Sequence, residues 1–128
     1  MPEMRWKCDK DGCFNEKKRL KLGIFDDCFP GRIAFGDVDA IVEISGNFLL
    51  MEWKDAGCGD VSGGQRYMYE AMTRDEKFLV IAVYGDAEIM EIQSIQIYHN
   101  GKATPREPCT IEELKMRVKR WAKKQRKF

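Results

Sequence analysis

From Ile33 to Ile44 the chain alternates. Ala34, Gly36, Val38, Ala40, Val42 and Ile44 fall on one side, and Ile33, Phe35, Asp37, Asp39, Ile41 and Glu43 on the other. A period of two predicts a β-strand. Ser45-Gly46-Asn47 predicts a tight hairpin, and Phe48 to Lys54 alternates again. Leu49, Met51 and Trp53 share one face of that second strand; Phe48, Leu50, Glu52 and Lys54 share the other. Asp37 and Asp39 also share a face, and a hairpin can bring the two polar faces together at one end of a sheet.

Before this hairpin, Cys8 to Cys13 has the composition of a turn. Asn15 is a cap for a short helix over Glu16–Leu22 that Gly23 closes. After it comes a glycine-rich loop, Ala56 to Val61. Ser62 with Gln65 three residues on forms a capping box and predicts a helix to about Thr73. Phe78 to Tyr84 is continuously apolar, the pattern of a strand buried on both faces. Glu88 to Tyr98 predicts one or two further strands, with a turn at Asn100-Gly101. Thr110 with Glu113 is a second capping box, opening a helix to about Lys124. Its apolar positions, Ile111, Leu114, Val118 and Trp121, recur at helical spacing. The expected architecture is α/β.

At 128 residues, 44% of them hydrophobic, the chain has the size of one domain with a real core. No stretch reaches the length of a membrane span, and the N-terminus has no apolar run of a secretory signal, so a cytoplasmic location is expected. In that setting the five cysteines are expected to be thiols, and no Cys-x-x-Cys pair points to zinc. The net charge of +1 conceals a polarity. Residues 1–21 carry seven Lys/Arg against four acids, residues 22–109 seven against fifteen, and residues 110–128 eight against two. An acidic middle between basic ends suits a cation site flanked by phosphate-binding margins; solvated termini are the plainer explanation. On the last helix, Lys115, Lys119, Lys123 and Arg126 form a basic face for nucleic acid.

The candidate chemistry lies in Asp39, Glu52 and Lys54. Two carboxylates can hold Mg²⁺ or Mn²⁺, and a lysine beside them can orient water or steady charge on a phosphate. A single histidine, His99, argues against histidine-centred hydrolysis.

These residues, in this order, resemble the PD-(D/E)xK nuclease superfamily. The carriers are Gly36-Asp37-Val38-Asp39, Glu52-Trp53-Lys54, and Gly64-Gln65 with Tyr69 on the next helix. The resemblance spans roughly residues 16–84, with 85–128 as a C-terminal appendage of an added β segment and a basic helix. It implies a restriction-endonuclease-like core of helix, three-stranded meander, helix and strand. Small resolvase-like, RecB-type and phage-borne VRR-type modules are the similar branches. The Pro-Asp dipeptide of the superfamily's name is missing.

Carried over residue by residue, the resemblance makes Asp39 and Glu52 metal ligands, with the backbone carbonyl of Trp53 as a third. Lys54 becomes the catalytic lysine, and Gln65 and Tyr69 the helix residues beside it. Asp37 stands as alternative to Asp39 or as an acid behind it, and Glu16 as a ligand from the first helix. The implied function is hydrolysis of DNA by a metal-dependent nuclease, structure-specific like a Holliday-junction resolvase and acting as a homodimer. The alternative is a non-catalytic nucleic-acid-binding or assembly protein on the same fold.

Overall fold

The computed structural model describes residues 20–57, 59 and 61–125. They fall into two compact units divided between Asp37 and Val38. The first contains a 3₁₀ helix, Leu22–Cys28. Phe35 meets Phe25 and Phe29 edge-on, with ring centroids 5.6 and 5.2 Å apart. The expected helix over residues 16–22 lies mostly outside the described residues. Residues 20 and 21 are not helical, and Gly23 sits inside the 3₁₀ helix rather than closing a helix.

The second unit is mixed α/β. Its strands are β1 (Ala40–Ile44), β2 (Asn47–Lys54), β3 (Phe78–Asp86), β4 (Glu91–His99), β5 (Lys102–Ala103) and β6 (Glu107–Pro108), with helices α1 (Gly63–Thr73) and α2 (Ile111–Gln125). The strands form one mixed sheet in the order β1-β2-β3-β4-β5, with β6 also paired to β4. β1 and β2 are antiparallel. Positive φ at both Ser45 and Gly46 gives their connection the geometry of a two-residue type I′ hairpin, whose twist matches the strands. The Glu43 carboxylate accepts the Gly46 N–H at 2.7 Å and holds that turn.

Parallel pairing of β2 with β3 requires a crossover, and α1 supplies it. Ser62 caps α1 by accepting the Gln65 N–H, as expected from the sequence. Thr110 and Glu113 close a reciprocal box at the start of α2. β4 then runs antiparallel along β3, so residues beyond 85 extend the same sheet.

Two apolar clusters fill the two faces. Leu49, Ile81, Val83, Ile95 and Leu114 lie on one, where Ile111, Val118 and Trp121 of α2 pack. Leu50, Val80, Ala82, Tyr84 and Tyr98 lie on the other, with Tyr69 of α1. Each fully buried large side chain contributes roughly 1.5–3 kcal/mol. β3 supplies residues to both clusters, which is why it reads as an unbroken apolar run. Thr73 pins α1 to the sheet: its hydroxyl donates to the Tyr69 carbonyl at 2.7 Å and accepts the Gly101 N–H at 3.2 Å.

The strand expected from Ile33 is shorter than its alternation suggests. Residues 33–38 are exposed and have no strand assignment, and β1 begins at Ala40. Alternation marks a chain able to pair; pairing itself needs a partner in register. Here the last ladder pair is Ala40 with Met51.

Candidate active site

The ladder stops at Asp39 because a side chain takes the place of a backbone partner. The Phe48 N–H points toward β3, where it donates to the Lys77 carbonyl. Backbone direction alternates along a strand, so Trp53, five residues later, points its N–H the other way, toward β1. The register would place Val38 opposite it. The Asp39 carboxylate takes that position instead, with Oδ2 accepting the Trp53 N–H at 2.7 Å. A strand residue directs its N–H and C=O to the same side. The Trp53 carbonyl is therefore turned to the same side of β2 as Asp39.

Glu52 lies on the α1 face of β2 and is 8% exposed. Such a carboxylate needs partners. Gln65 Nε2 donates to Glu52 Oε1 at 3.1 Å, and Lys54 Nζ stands 3.7 Å from the same oxygen. Lys54 Nζ also donates to Gln65 Oε1 at 2.7 Å. The Gln65 amide thus turns its oxygen to the cation and its nitrogen to the anion. The capping box at Ser62 is consequently one-sided: Ser62 caps the Gln65 backbone, but the Gln65 amide is engaged by the charged pair, whose hydrogen bonds are stronger than neutral ones.

Tyr69, one turn beyond Gln65, is 2% exposed and meets Tyr98 edge-on at 5.3 Å. Burial pushes its phenol well above the usual tyrosine range; Glu52, through its charge and a hydrogen bond, and Asp39 add to the shift. Tyr69 is therefore a neutral phenol in the neighbourhood of Glu52. Asp39, Glu52, Lys54, Gln65 and Tyr69 come together at the carboxyl end of β2 and the first turns of α1.

The other expected residues stand apart from this group or lie outside the described residues. Asp37 is exposed and belongs to the first unit. Glu16, Arg126 and the cysteines Cys8, Cys13 and Cys58 lie outside the described residues; Cys28 and Cys109 are free thiols. Lys115, Lys119 and Lys123 are exposed on α2, which covers the sheet face opposite Glu52. Among the described residues no group of three or more His, Cys, Asp or Glu side chains is placed to hold a metal. None of the helices in that part of the chain is long and apolar enough to cross a membrane.

Two neighbours on the Glu52 face had no signal in the sequence. Lys54 is in register with Tyr84, and Tyr84 with Ser94. The Arg106 guanidinium lies 3.5 Å from the Tyr84 ring centroid, and its Nε donates to Ser94 Oγ at 2.8 Å. Only strand register brings these residues onto the same face as Lys54, and register between distant segments is not written in local pattern.

No family model, curated protein or solved structure matches the chain.

Proposed function

We propose that this protein is a metal-dependent nuclease of the PD-(D/E)xK type that hydrolyses DNA phosphodiester bonds. The observation that carries the proposal is the Gln65 amide bridging Glu52 and Lys54, beside the Asp39 carboxylate on the Trp53 N–H. A buried acid, a cation and an amide from the following helix are held in one array, with a second acid at its edge. The order of hairpin, helix and parallel strand supports this reading; the described residues form a two-stranded hairpin, β1 and β2, where the expected core has a three-stranded meander. Structure-specific cleavage by a homodimer, resolvase-like, is the finer form of the proposal.

The donor set fits a hard divalent cation. Asp39, Glu52 and the Trp53 carbonyl offer only oxygen, which favours Mg²⁺ or Mn²⁺. When bound, such an ion supplies positive charge against the phosphate and acidifies water. The protein's own part is orientation and charge. Lys54 Nζ has three N–H donors and engages Gln65 with one, leaving donors for a phosphate oxygen or the attacking water. Lys54 Nζ lies 2.7 Å from Gln65 Oε1 and 3.7 Å from Glu52 Oε1, so the amide is its nearer partner. Tyr69 stays protonated and steadies the Glu52 carboxylate from the core side. The Asp39–Trp53 bond fixes the end of β1 against β2.

The test is incubation of pure protein with flaps, forks, four-way junctions and single strands, in Mg²⁺, Mn²⁺ or EDTA. Cleavage that needs metal and disappears in Glu52→Ala and Lys54→Ala supports the proposal. No cleavage of any substrate by wild type, or variants as active as wild type, removes it in favour of a binding-only protein.

A further inference from the structure

Arg106 is an arginine held in place without an acid. Among the described residues no carboxylate pairs with it; Arg66 and Arg117, by contrast, bind Glu70 and Glu107. Two contacts position its guanidinium, the Tyr84 ring beneath it and Ser94 Oγ at its Nε. The ring belongs to the core, because Tyr84 is fully buried.

The segment that presents Arg106 is equally tied. Thr104 exchanges hydrogen bonds with β4: its N–H donates to the Ile97 carbonyl at 2.8 Å, and its hydroxyl accepts the Ile97 N–H at 3.0 Å. The Gln96 amide donates to the Thr104 carbonyl at 3.0 Å. Pro105 then fixes φ, and Glu107 pairs with Ile95 in β6. The guanidinium is thus pre-oriented, and its outer N–H fork faces solvent at an exposed position.

The register sets where it lies. Lys54, Tyr84 and Ser94 stand side by side on three adjacent strands, β2, β3 and β4, with their side chains on the Glu52 face. Adjacent strands are roughly 4.8 Å apart, so Ser94 is about 10 Å from Lys54 across the sheet. That span is of the order of the separation between neighbouring phosphates along one nucleic-acid strand. A planar fork of unpaired N–H donors at that distance matches a backbone phosphate.

We propose that Arg106 binds a nucleic-acid phosphate flanking the one at Lys54, so that the substrate backbone runs across β2, β3 and β4 on the α1 face. This rests on the nuclease reading for its substrate. It also moves the binding surface away from the basic face of α2, which lies across the sheet.

The experiment is equilibrium binding of a fluorescent DNA duplex and single strand by the full chain, in EDTA, over a series of salt concentrations. Arg106→Gln keeps a donor for Ser94, and Arg106→Lys keeps the charge. Arg117→Ala, on the opposite side of the sheet, is the control. Thermal melts verify that each variant is folded. Arg106→Gln should weaken binding several-fold at low salt, equally for all sequences, and lower the slope of log K against log salt by about 0.7–0.9. Arg106→Lys should recover most of the slope, and Arg117→Ala should leave it unchanged. A folded Arg106→Gln protein with wild-type affinity and slope overturns the assignment, even if wild type cuts DNA normally. If wild type binds DNA but never cuts it, the nuclease reading fails while the slope still decides Arg106. If wild type binds no nucleic acid in EDTA, the Arg106 assignment falls, and cleavage in Mg²⁺ or Mn²⁺ decides the nuclease reading separately.

Discussion

Lys54 donates to the side-chain oxygen of Gln65 at 2.7 Å, and that bond joins β2 to the first turn of α1. Gln65→Ala removes the bridge and leaves Lys54 facing Glu52 alone. Cleavage should fall roughly 10²-fold, the usual loss when one pre-oriented polar group leaves a reacting centre. Stability should fall by only about 1 kcal/mol. Single-turnover cleavage beside a urea titration reads both; an unchanged rate places Gln65 outside the chemistry.

Glu52 and Lys54 should separate when binding is measured apart from cutting. Mn²⁺ at about 100 times its dissociation constant stabilises a folded protein by about 2.7 kcal/mol. Wild type and Lys54→Ala should both show that rise in melting temperature over EDTA, and Glu52→Ala should lose it. A Glu52→Ala protein that is stabilised as strongly as wild type removes Glu52 from the ligand set.

Cys109 should make stability sensitive to alkali. Burial pushes its thiol above the ordinary range, Glu113 and Glu107 add to this, and Arg117 opposes it. A thiol with a raised pKa in the folded state favours folding while it stays protonated. Its contribution is complete below the unfolded value of about 8.5 and is lost as pH rises through the folded one. Cys109→Ala should flatten the decline of the urea midpoint above about pH 8.5. Alkylation followed by mass spectrometry should modify Cys109 more slowly than exposed Cys28. Equal rates for the two would contradict the burial argument.

Gly85 should tolerate no side chain. It sits at the register shift between β3 and β4, and its carbonyl accepts the Trp53 indole N–H at 3.2 Å. A Cβ there would collide with the Glu91 carbonyl and stand 2.6 Å from Ile92 Cα, both of them backbone. Gly85→Ala should destabilise by about 1–3 kcal/mol. Chemical denaturation measures it, and a neutral result would mean the bulge can relax.

Much of this molecule was readable because its signals are local. Ser62 and Thr110 announce the starts of α1 and α2, since a cap concerns only neighbouring residues. Period two put Glu52 and Lys54 on one face of β2, and the apolar run over Phe78–Tyr84 described a strand with a core on each side. The same logic misled at Ile33, where alternation continues but pairing does not.

What the tertiary structure alone decided were relations between segments. Asp39 ends β1 because its carboxylate meets a backbone N–H fourteen residues away. Gln65 bridges a charged pair because the β2–α1 crossover turns the helix back over the sheet. Arg106 reaches the Glu52 face because β4 lies beside β3 in one particular register. A sequence determines which faces are apolar and where helices begin, since those depend on spacing within a turn or a strand. Which distant side chains share a site depends on how buried faces pack and strands align, and that is settled only when the chain closes on itself.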